Sequence, residues 1–209
     1  MQCPLCKSIS KGFFEGKNGI YYACPLCKGI FLGRENLLSF DEEKERYLTH
    51  QNCVEDKGYQ KFVGPIVKAV KGSFLPASQG LDFGCGQRSV IKHLLQQDGY
   101  SVALYDPFFK DERQVLSKKY DYIVCCEVIE HFHDPAKEFM LLSSMLKPKG
   151  KLFCMTETWD SEKEFAAWYY KNDPTHVFFY QQATAACIAE RFGFSDHRIE
   201  GRLIELSKL

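Results

Sequence analysis

Short apolar runs alternate with amphipathic stretches over residues 72–209. Runs of strand length, in which residues are either mostly apolar or alternate between apolar and polar, occupy 79–83, 101–105, 120–126 and 151–155. Apolar residues recur at helical spacing in 90–95 and 139–146. Strands that alternate with helices favour a parallel sheet covered on both faces, with a ligand at the carboxyl ends of the strands. This region is therefore predicted to be a doubly wound α/β domain with a mostly parallel sheet.

The first 34 residues have a different pattern. Two short runs, 11–14 and 19–23, flank a turn that contains Gly16 and Gly19, which predicts a β-hairpin. The tetrapeptide Cys-Pro-Leu-Cys occurs on either side of the hairpin, as 3–6 and again as 24–27.

Duplicated Cys-x-x-Cys pairs across a hairpin indicate a metal site. Each pair can direct two thiolates at one ion, and two pairs complete the tetrahedral sulfur set that zinc prefers. The alternatives are a redox pair or a surface disulfide, but a redox pair normally occurs once, beside a βαβ unit. The sequence thus predicts a small zinc ribbon whose loss of zinc would unfold it and leave the larger domain folded. The predicted ligands of this structural zinc are Cys3, Cys6, Cys24 and Cys27.

Residues 35–71 are predicted to be a helical linker or lid between the ribbon (1–34) and the α/β domain (72–209). Residues 41–50 favour a helix, and Pro65 predicts that a second helical run, 61–70, begins or bends there. A polar and aromatic set in this region is either a solvated helical face or a lid over a cofactor; it consists of His50, Asn52, Asp56 and Tyr59.

Composition narrows the class of protein. The 209 residues are 45% hydrophobic and 26% charged, which excludes a disordered chain. Lys plus Arg and Asp plus Glu each number 27, and this zero net charge disfavours a dedicated nucleic-acid binder. The chain lacks both an apolar run long enough for a membrane helix and a signal-peptide pattern at its start, so we expect no membrane partner and a cytoplasmic location.

The strand at 79–83 runs directly into Gly84-Cys85-Gly86, and a helix follows. Strand, glycine turn and helix form the unit that holds a nucleotide, because glycine lets the backbone approach the ligand closely. Ser89 replaces the third glycine of the dinucleotide pattern, and Asp82 lies inside the motif, which suits a cationic ligand. Asp106 ends the next strand, where ribose hydroxyls are bound; its alternative role is a cap of the following turn.

From about residue 79 onward, the chain resembles the class I methyltransferases that use S-adenosylmethionine. The similar stretches are Leu81-Asp82-Phe83-Gly84-Cys85-Gly86, Glu127-Val128-Ile129-Glu130-His131, the stretch 146–152 and His176-Val177-Phe178-Phe179-Tyr180. The resemblance implies a Rossmann-like fold with the glycine turn at the methionine part of the cofactor and Asp106 at its ribose. The implied cofactor-binding residues are Asp82, Phe83, Gly84, Cys85, Gly86, Asp106 and Cys126.

The chain departs from this family at one point. Only thirteen residues separate Asp106 from Tyr120, where the family usually has a helix, a third strand and another helix. We therefore expect the third strand to be missing or vestigial.

Candidate chemistry lies just past the predicted strand 120–126, at Glu127, Glu130 and His131, and at His176, which is predicted to open a later strand beside it. They could hold a loop in place, form a base with its orienting partner, or bind a second divalent ion. The set resembles the metal site of small-RNA terminal 2′-O-methyltransferases, whereas the same pentapeptide occurs without a known metal in many small-molecule methyltransferases.

The sequence as a whole favours an S-adenosylmethionine-dependent methyltransferase with a small-molecule acceptor. An RNA or protein acceptor recognised by the ribbon is the first alternative, since residues 1–34 carry five Lys plus Arg and one acid. A binding module that retains the fold without turnover is the second, although the intact glycine turn and Asp106 argue against it.

Overall fold

The computed structural model describes residues 1–49, 53–160 and 164–209. The strands are β1 (Lys11–Gly16), β2 (Gly19–Ala23), β3 (Ile30–Leu32), β4 (Gln79–Phe83), β5 (Ser101–Tyr105), β6 (Tyr120–Cys126), β7 (Leu146–Met155), β8 (Phe178–Phe179), β9 (Phe194–Glu200) and β10 (Leu203–Lys208). The α-helices are α1 (Phe40–Leu48), α2 (Lys57–Ser73), α3 (Val90–Gln97), α4 (Pro135–Met145) and α5 (Gln182–Phe192).

The larger sheet has six strands in the order β5-β4-β6-β7-β10-β9. Strands β5, β4, β6 and β7 run parallel to their neighbours, and β10 is antiparallel to both β7 and β9. The mostly parallel sheet predicted from the apolar runs is confirmed. The carboxyl ends of its four parallel strands meet at one edge, where such folds bind ligands.

Helices cover both faces of this sheet, as predicted. Alternate residues of β6 point to opposite faces: Tyr122 and Val124 pack in a cluster with α2 and α3, whereas Ile123 and Cys125 pack in another cluster with α4 and α5. Because β6 is apolar on both faces, its sequence is a continuous apolar run, which is typical of a central parallel strand.

The region between β5 and β6 contains a 3-10 helix, Arg113–Ser117, and no strand. The expected loss of the third strand is confirmed, and β5 is consequently an edge of the sheet. A chain of thirteen residues is too short for a helix, a strand and the connections between them.

The predicted bounds of two helices were wrong. Helix α2 begins at Lys57, because the Asp56 side chain accepts hydrogen bonds from the first turn, and the helix continues past Pro65. Helix α4 begins at Pro135, after the Asp134 cap, and ends at Met145. Strand β7 therefore starts at Leu146, five residues earlier than predicted.

The second sheet, of order β1-β2-β3-β8, contains the predicted hairpin, strand β3, which was not predicted, and strand β8, which lies just after His176, where a later strand was predicted to open. Strand β3 pairs on one side with the hairpin and on the other with β8, which comes from residues beyond the larger sheet's β7. An aromatic cluster supports the junction, and it includes Tyr21, Phe165, Trp168 and Phe179. The predicted domain boundary at residue 34 stays a prediction. Apolar residues from the two sheets pack together in one cluster.

Within the residues that the structure describes, no helix has both the length and the apolar character needed to cross a membrane.

Candidate functional site

The glycine turn joins the ends of β4 and β5. The N–H groups of Gly84 and Cys85 donate to the Tyr105 carbonyl at 2.8 and 3.1 Å, and the Gly86 N–H donates to Asp106 Oδ2 at 2.8 Å. Gly84 and Gly86 have φ values of 79° and 62°, a region that favours glycine. These bonds fix the turn at the carboxyl edge of the sheet.

Asp106 also caps the turn that follows it. Its Oδ1 accepts hydrogen bonds from the N–H groups of Phe108 at 2.9 Å and Phe109 at 3.1 Å. The cap that sequence analysis offered as an alternative is therefore present, and the same buried carboxylate lines the large cavity described below. Ribose binding by Asp106 stays a prediction that this geometry permits.

Asp82 is buried beneath the glycine turn. The Ser89 hydroxyl donates to Asp82 Oδ2 at 2.5 Å and accepts from the Lys92 N–H at 2.8 Å. Ser89 therefore caps α3 and binds the Asp82 carboxylate at the same time. Burial raises the pKa of Asp82 to about 7. A cation bound nearby would favour the ionised form of this carboxylate.

A cavity of about 1410 Å³ opens at the carboxyl edge of the parallel strands. All seven residues implied as cofactor-binding line it: Asp82, Phe83, Gly84, Cys85, Gly86, Asp106 and Cys126. Glu127, His131 and His176 line it too, whereas Glu130 is fully buried behind the wall. The cavity thus brings the sequence-predicted residues together, and their individual roles stay predictions.

Helices α1 and α2 form the opposite wall of this cavity. Phe40 and Tyr47 of α1 and Tyr59 of α2 line it. Phe40 stacks on Phe108 with ring centroids 4.5 Å apart. Of the predicted lid set, Tyr59 faces the cavity and Asp56 caps α2; His50 and Asn52 lie outside the described residues.

Glu127 follows β6 in a left-handed conformation, with φ of 52°. Its Oε2 accepts from Arg202 Nη2 at 2.6 Å and lies 3.1 Å from the Tyr170 hydroxyl. Its Oε1 is buried, with no hydrogen-bond partner among the described residues. Burial, together with the charge of Glu130, raises the pKa of Glu127 to about 7 although Arg202 opposes the shift. A carboxyl group with this pKa is partly ionised at neutral pH, and its ionised form can accept a proton.

Glu130 is held by a different set of contacts. The Tyr170 hydroxyl donates to its Oε1, and its buried Oε2 has no hydrogen-bond partner in the described part of the chain. Burial raises the pKa of Glu130 above its ordinary value. The Tyr170 hydroxyl lies between the two glutamates and also contacts Thr156 Oγ1 at 3.1 Å.

His131 and His176 meet beside Glu130, with ring centroids 4.9 Å apart. His131 Nδ1 lies 2.9 Å from the Thr175 carbonyl, and His176 Nδ1 lies 2.7 Å from the Tyr170 carbonyl. A carbonyl only accepts, so each Nδ1 carries a proton. Burial lowers the pKa of His176, which favours the neutral ring.

Sequence analysis missed three residues of this site: Thr156, Tyr170 and Arg202. Arg202 lies in the turn between β9 and β10, and its two terminal nitrogens bind Glu127 and Glu157. Only the fold brings these positions together with Glu127, because they lie 29 to 75 residues from it along the chain. An arginine beside a glycine turn carries no local signal of such a role.

The four ribbon cysteines form a second cluster, and their sulfur atoms all lie within 4.8 Å of one another. The Cys3 and Cys27 sulfurs are 3.7 Å apart and those of Cys6 and Cys24 are 3.3 Å apart. Tetrahedral zinc with bonds of about 2.3 Å places sulfurs roughly 3.8 Å apart. The donor set and its buried position therefore fit zinc.

The two Cys-Pro-Leu-Cys segments have matching backbones. In each, the first cysteine carbonyl accepts from the lysine that follows the second cysteine: Lys7 N–H to Cys3, 2.9 Å, and Lys28 N–H to Cys24, 3.1 Å. Both lysines adopt φ near 60°, which an L-residue rarely adopts. The same unusual turn thus occurs twice, and both copies direct their cysteine sulfurs at one point.

Comparisons with known proteins agree with this architecture. A family model described as a methyltransferase domain matches residues 56–199, more than half of the chain. Ubiquinone biosynthesis O-methyltransferase from Serratia proteamaculans is 30% identical over 77 residues, which cover 37% of this chain and 32% of the relative. The same enzyme from Histophilus somni is 30% identical over 93 residues, 43% of this chain and 37% of the relative. The chain thus matches about a third of the length of these curated relatives.

Solved structures share the fold at lower identity. The 1,6-didemethyltoxoflavin-N1-methyltransferase of Burkholderia thailandensis, solved with 1,6-didemethyltoxoflavin and S-adenosylhomocysteine, has a TM-score of 0.57 at 12% identity, over 95% of this chain and 99% of its own. Magnesium protoporphyrin IX methyltransferase from Synechocystis has a TM-score of 0.52 at 18% identity, over 84% and 95%. With a matching family model, a shared fold and the glycine turn in place, this chain belongs to the family of class I methyltransferase domains.

Proposed function

We propose that the chain transfers a methyl group from S-adenosylmethionine to an oxygen of a small-molecule acceptor. The observation that carries this proposal is one cavity with two chemically different ends. The glycine turn bonded to Asp106 forms one end, and Glu127, Tyr170 and the two histidines form the other.

The residues at the first end fit the cofactor. The Asp106 carboxylate would accept hydrogen bonds from the ribose hydroxyls, and position 86, where a side chain would meet open space, would let the backbone approach the ligand. Asp82 supplies a buried acid near a cationic ligand. When bound, S-adenosylmethionine supplies an electrophilic methyl group on a positively charged sulfur.

Glu127 is our candidate for the group that accepts the acceptor's proton. It lines the cavity, its Oε1 is unpartnered among the described residues, and Arg202 and Tyr170 hold its other oxygen. A carboxylate held in this way has one oxygen directed by its partners, and no hydrogen-bond donor among the described residues occupies its second, buried oxygen.

The aromatic wall of the cavity supports a small acceptor over a polymer. Aromatic side chains of α1 line it: Phe40 stacks on Phe108, and Tyr47 packs edge-on against the same ring at 5.0 Å. Planar apolar rings pack well against such walls. The enzymes named among the relatives act in ubiquinone biosynthesis, which points in the same direction.

We also propose that the ribbon cysteines bind one structural zinc ion. The sulfur spacing and the duplicated turns at the two Cys-Pro-Leu-Cys segments, here called the knuckles, support this assignment. Zinc would stabilise a segment whose own apolar core is small.

A binding titration followed by label transfer tests the enzymatic proposal. Calorimetry should show one S-adenosylhomocysteine bound per chain, and no binding of a nicotinamide dinucleotide. Cell extract incubated with the enzyme and methyl-labelled S-adenosylmethionine should then carry label in small molecules that resist both nuclease and protease. Label that nuclease or protease releases would instead identify an RNA or protein acceptor, and preferential dinucleotide binding would overturn the proposal.

A further inference from the structure

We infer that Glu130, His131 and His176 form a binding site for one divalent transition-metal ion at the wall of the cavity. One ligand atom from each residue, an imidazole nitrogen or a carboxylate oxygen, lies within 4.8 Å of the other two. Two imidazoles and a carboxylate are a common donor set for zinc, iron, cobalt and manganese. Glu127, which sequence analysis placed in the same set, is not part of it, because its carboxylate is paired with Arg202.

The histidines are oriented as metal ligands usually are. Each Nδ1–H donates to a backbone carbonyl, Thr175 for His131 and Tyr170 for His176. With the proton on Nδ1, the neutral form of such a ring has its lone pair on Nε2, and the two bonds fix the planes of the rings. Carbonyl partners of this kind are the typical outer shell of a histidine metal ligand.

Glu130 supplies an independent observation. Its side chain is fully buried, Tyr170 occupies Oε1, and Oε2 has no hydrogen-bond partner in residues 1–49, 53–160 and 164–209. An unsatisfied buried carboxylate oxygen is costly, and a cation beside it would remove that cost. If Glu130 only held its loop in place, a buried oxygen without a hydrogen-bond partner would add nothing to that role.

The backbone holds the two parts of the site together. Glu130 and His131 belong to a 3-10 turn, Ile129–His131, and His176 comes from a later segment. The Val177 N–H donates to the Glu130 carbonyl at 2.9 Å, and the Tyr180 hydroxyl donates to the Ile129 carbonyl at 2.8 Å. The ligands therefore come from two segments that are joined without the ion, which is the preorganisation that a metal site requires.

The site's position gives the ion a use in the proposed reaction. The two imidazoles line the cavity and Glu130 lies behind them, so open coordination positions would face the acceptor. A divalent ion lowers the pKa of an oxygen that binds to it. This role, which rests on the proposed function, favours acceptors with a hydroxyl that can coordinate a metal, such as phenols.

Cobalt binding to the zinc-loaded full-length protein tests the site without any turnover. Equilibrium dialysis with elemental analysis should show one Co²⁺ per chain with the zinc retained. Glu130→Gln and His176→Asn should each weaken cobalt binding at least ten-fold. His133→Asn is the matched control, because His133 also lines the cavity and contacts a single carboxylate, Glu43, at 2.8 Å; its affinity should equal that of the wild type.

A measurement on the wild type covers the case in which a variant misfolds. Mn²⁺ added to the zinc-loaded protein should broaden the imidazole NMR signals of His131 and His176 before that of His93, which lies on α3 with its ring bonded to Gln97. Failure to take up a second metal, equal cobalt affinity in folded variants, or uniform broadening of all histidines would each overturn the inference. Because these readouts need no S-adenosylmethionine, failure here is distinct from failure of the cofactor titration.

Discussion

The Gly86 N–H donates a 2.8 Å hydrogen bond to Asp106 Oδ2, twenty residues further along the chain. The bond couples the loop after β4 to the end of β5, so the two groups expected to contact the cofactor are fixed relative to each other. Asp106 performs this positioning with the same carboxylate that caps the next turn.

Asp106→Ala should therefore weaken binding of S-adenosylhomocysteine by at least ten-fold and also destabilise the fold. The substitution leaves three backbone N–H groups without their acceptor, at a cost of roughly 1 to 3 kcal/mol for each group that stays buried. Calorimetry and urea unfolding measure the two effects. Asp111→Ala is the control, because Asp111 forms an exposed pair with Arg113 and should change neither quantity. Unchanged affinity in a folded Asp106 variant would contradict the assignment.

Gly86→Ala and Gly193→Ala separate backbone strain from cofactor binding. Both glycines have positive φ, 62° and 75°, and an added Cβ at either position meets no atom within 4 Å. Each substitution should cost about 1 to 2 kcal/mol of unfolding free energy. Only Gly86 lines the cavity, so only Gly86→Ala should also weaken S-adenosylhomocysteine binding. Equal affinities for the two variants would show that the turn does not approach the cofactor.

The parallel strands could be predicted from the sequence because local patterning determines them. Strand β4, strand β5 and strand β6 begin and end at the predicted residues, since each is an apolar run bounded by polar or turn residues. Strand β3 was not predicted in this way, because its three residues form a strand only between β2 and β8, which supply its partners. The missing third strand followed from chain length alone.

The candidate site was predicted in part for a similar reason. The glycine turn, Asp106 and the segment 127–131 occur next to strand ends, which a sequence pattern locates. The pairing of Glu127 with Arg202, and the placing of the Tyr170 hydroxyl between Glu127 and Glu130, depend on contacts across 40 to 75 residues. The four residues thus adjoin one cavity, but Glu127 has Arg202 as its partner whereas Glu130 lies with the two histidines.

Asp82 should make the stability of the protein depend on pH. Burial raises its pKa to about 7 in the folded state, above the ordinary value of 3.8. Between these two values the folded chain holds a proton that the unfolded chain has lost, so stability falls as pH rises towards 7. Wild type should lose about 2 kcal/mol more than Asp82→Asn between pH 5 and pH 8. Urea unfolding at both pH values measures this; parallel losses in the two proteins would contradict it.

Removal of zinc should destabilise α5 as well as the ribbon. Thr184 Oγ1 of α5 donates to the Cys27 carbonyl at 2.9 Å, and Gln181 Nε2 donates to the Lys28 carbonyl at 2.7 Å. The ribbon cysteines also belong to the apolar cluster that contains Ile188. The sequence predicts a ribbon that unfolds alone; the contacts of the second Cys-Pro-Leu-Cys segment and Lys28 with the start of α5 instead predict that loss of zinc reaches α5.

Hydrogen exchange with and without a chelator distinguishes the two outcomes. The purified chain should contain about one zinc per molecule, and chelation should lower the protection of the Ala185, Ile188 and Ala189 amides together with that of β2. Cys27→Ser should have the same effect as chelation. Cys53→Ser is the matched control, since Cys53 is exposed and distant from the ribbon in sequence, and its zinc content and exchange should equal those of the wild type. Loss of protection confined to residues 1–34 would instead show that the contacts between the second knuckle and α5 do not couple the two segments. Absence of zinc from protein purified without chelator would overturn the metal assignment itself.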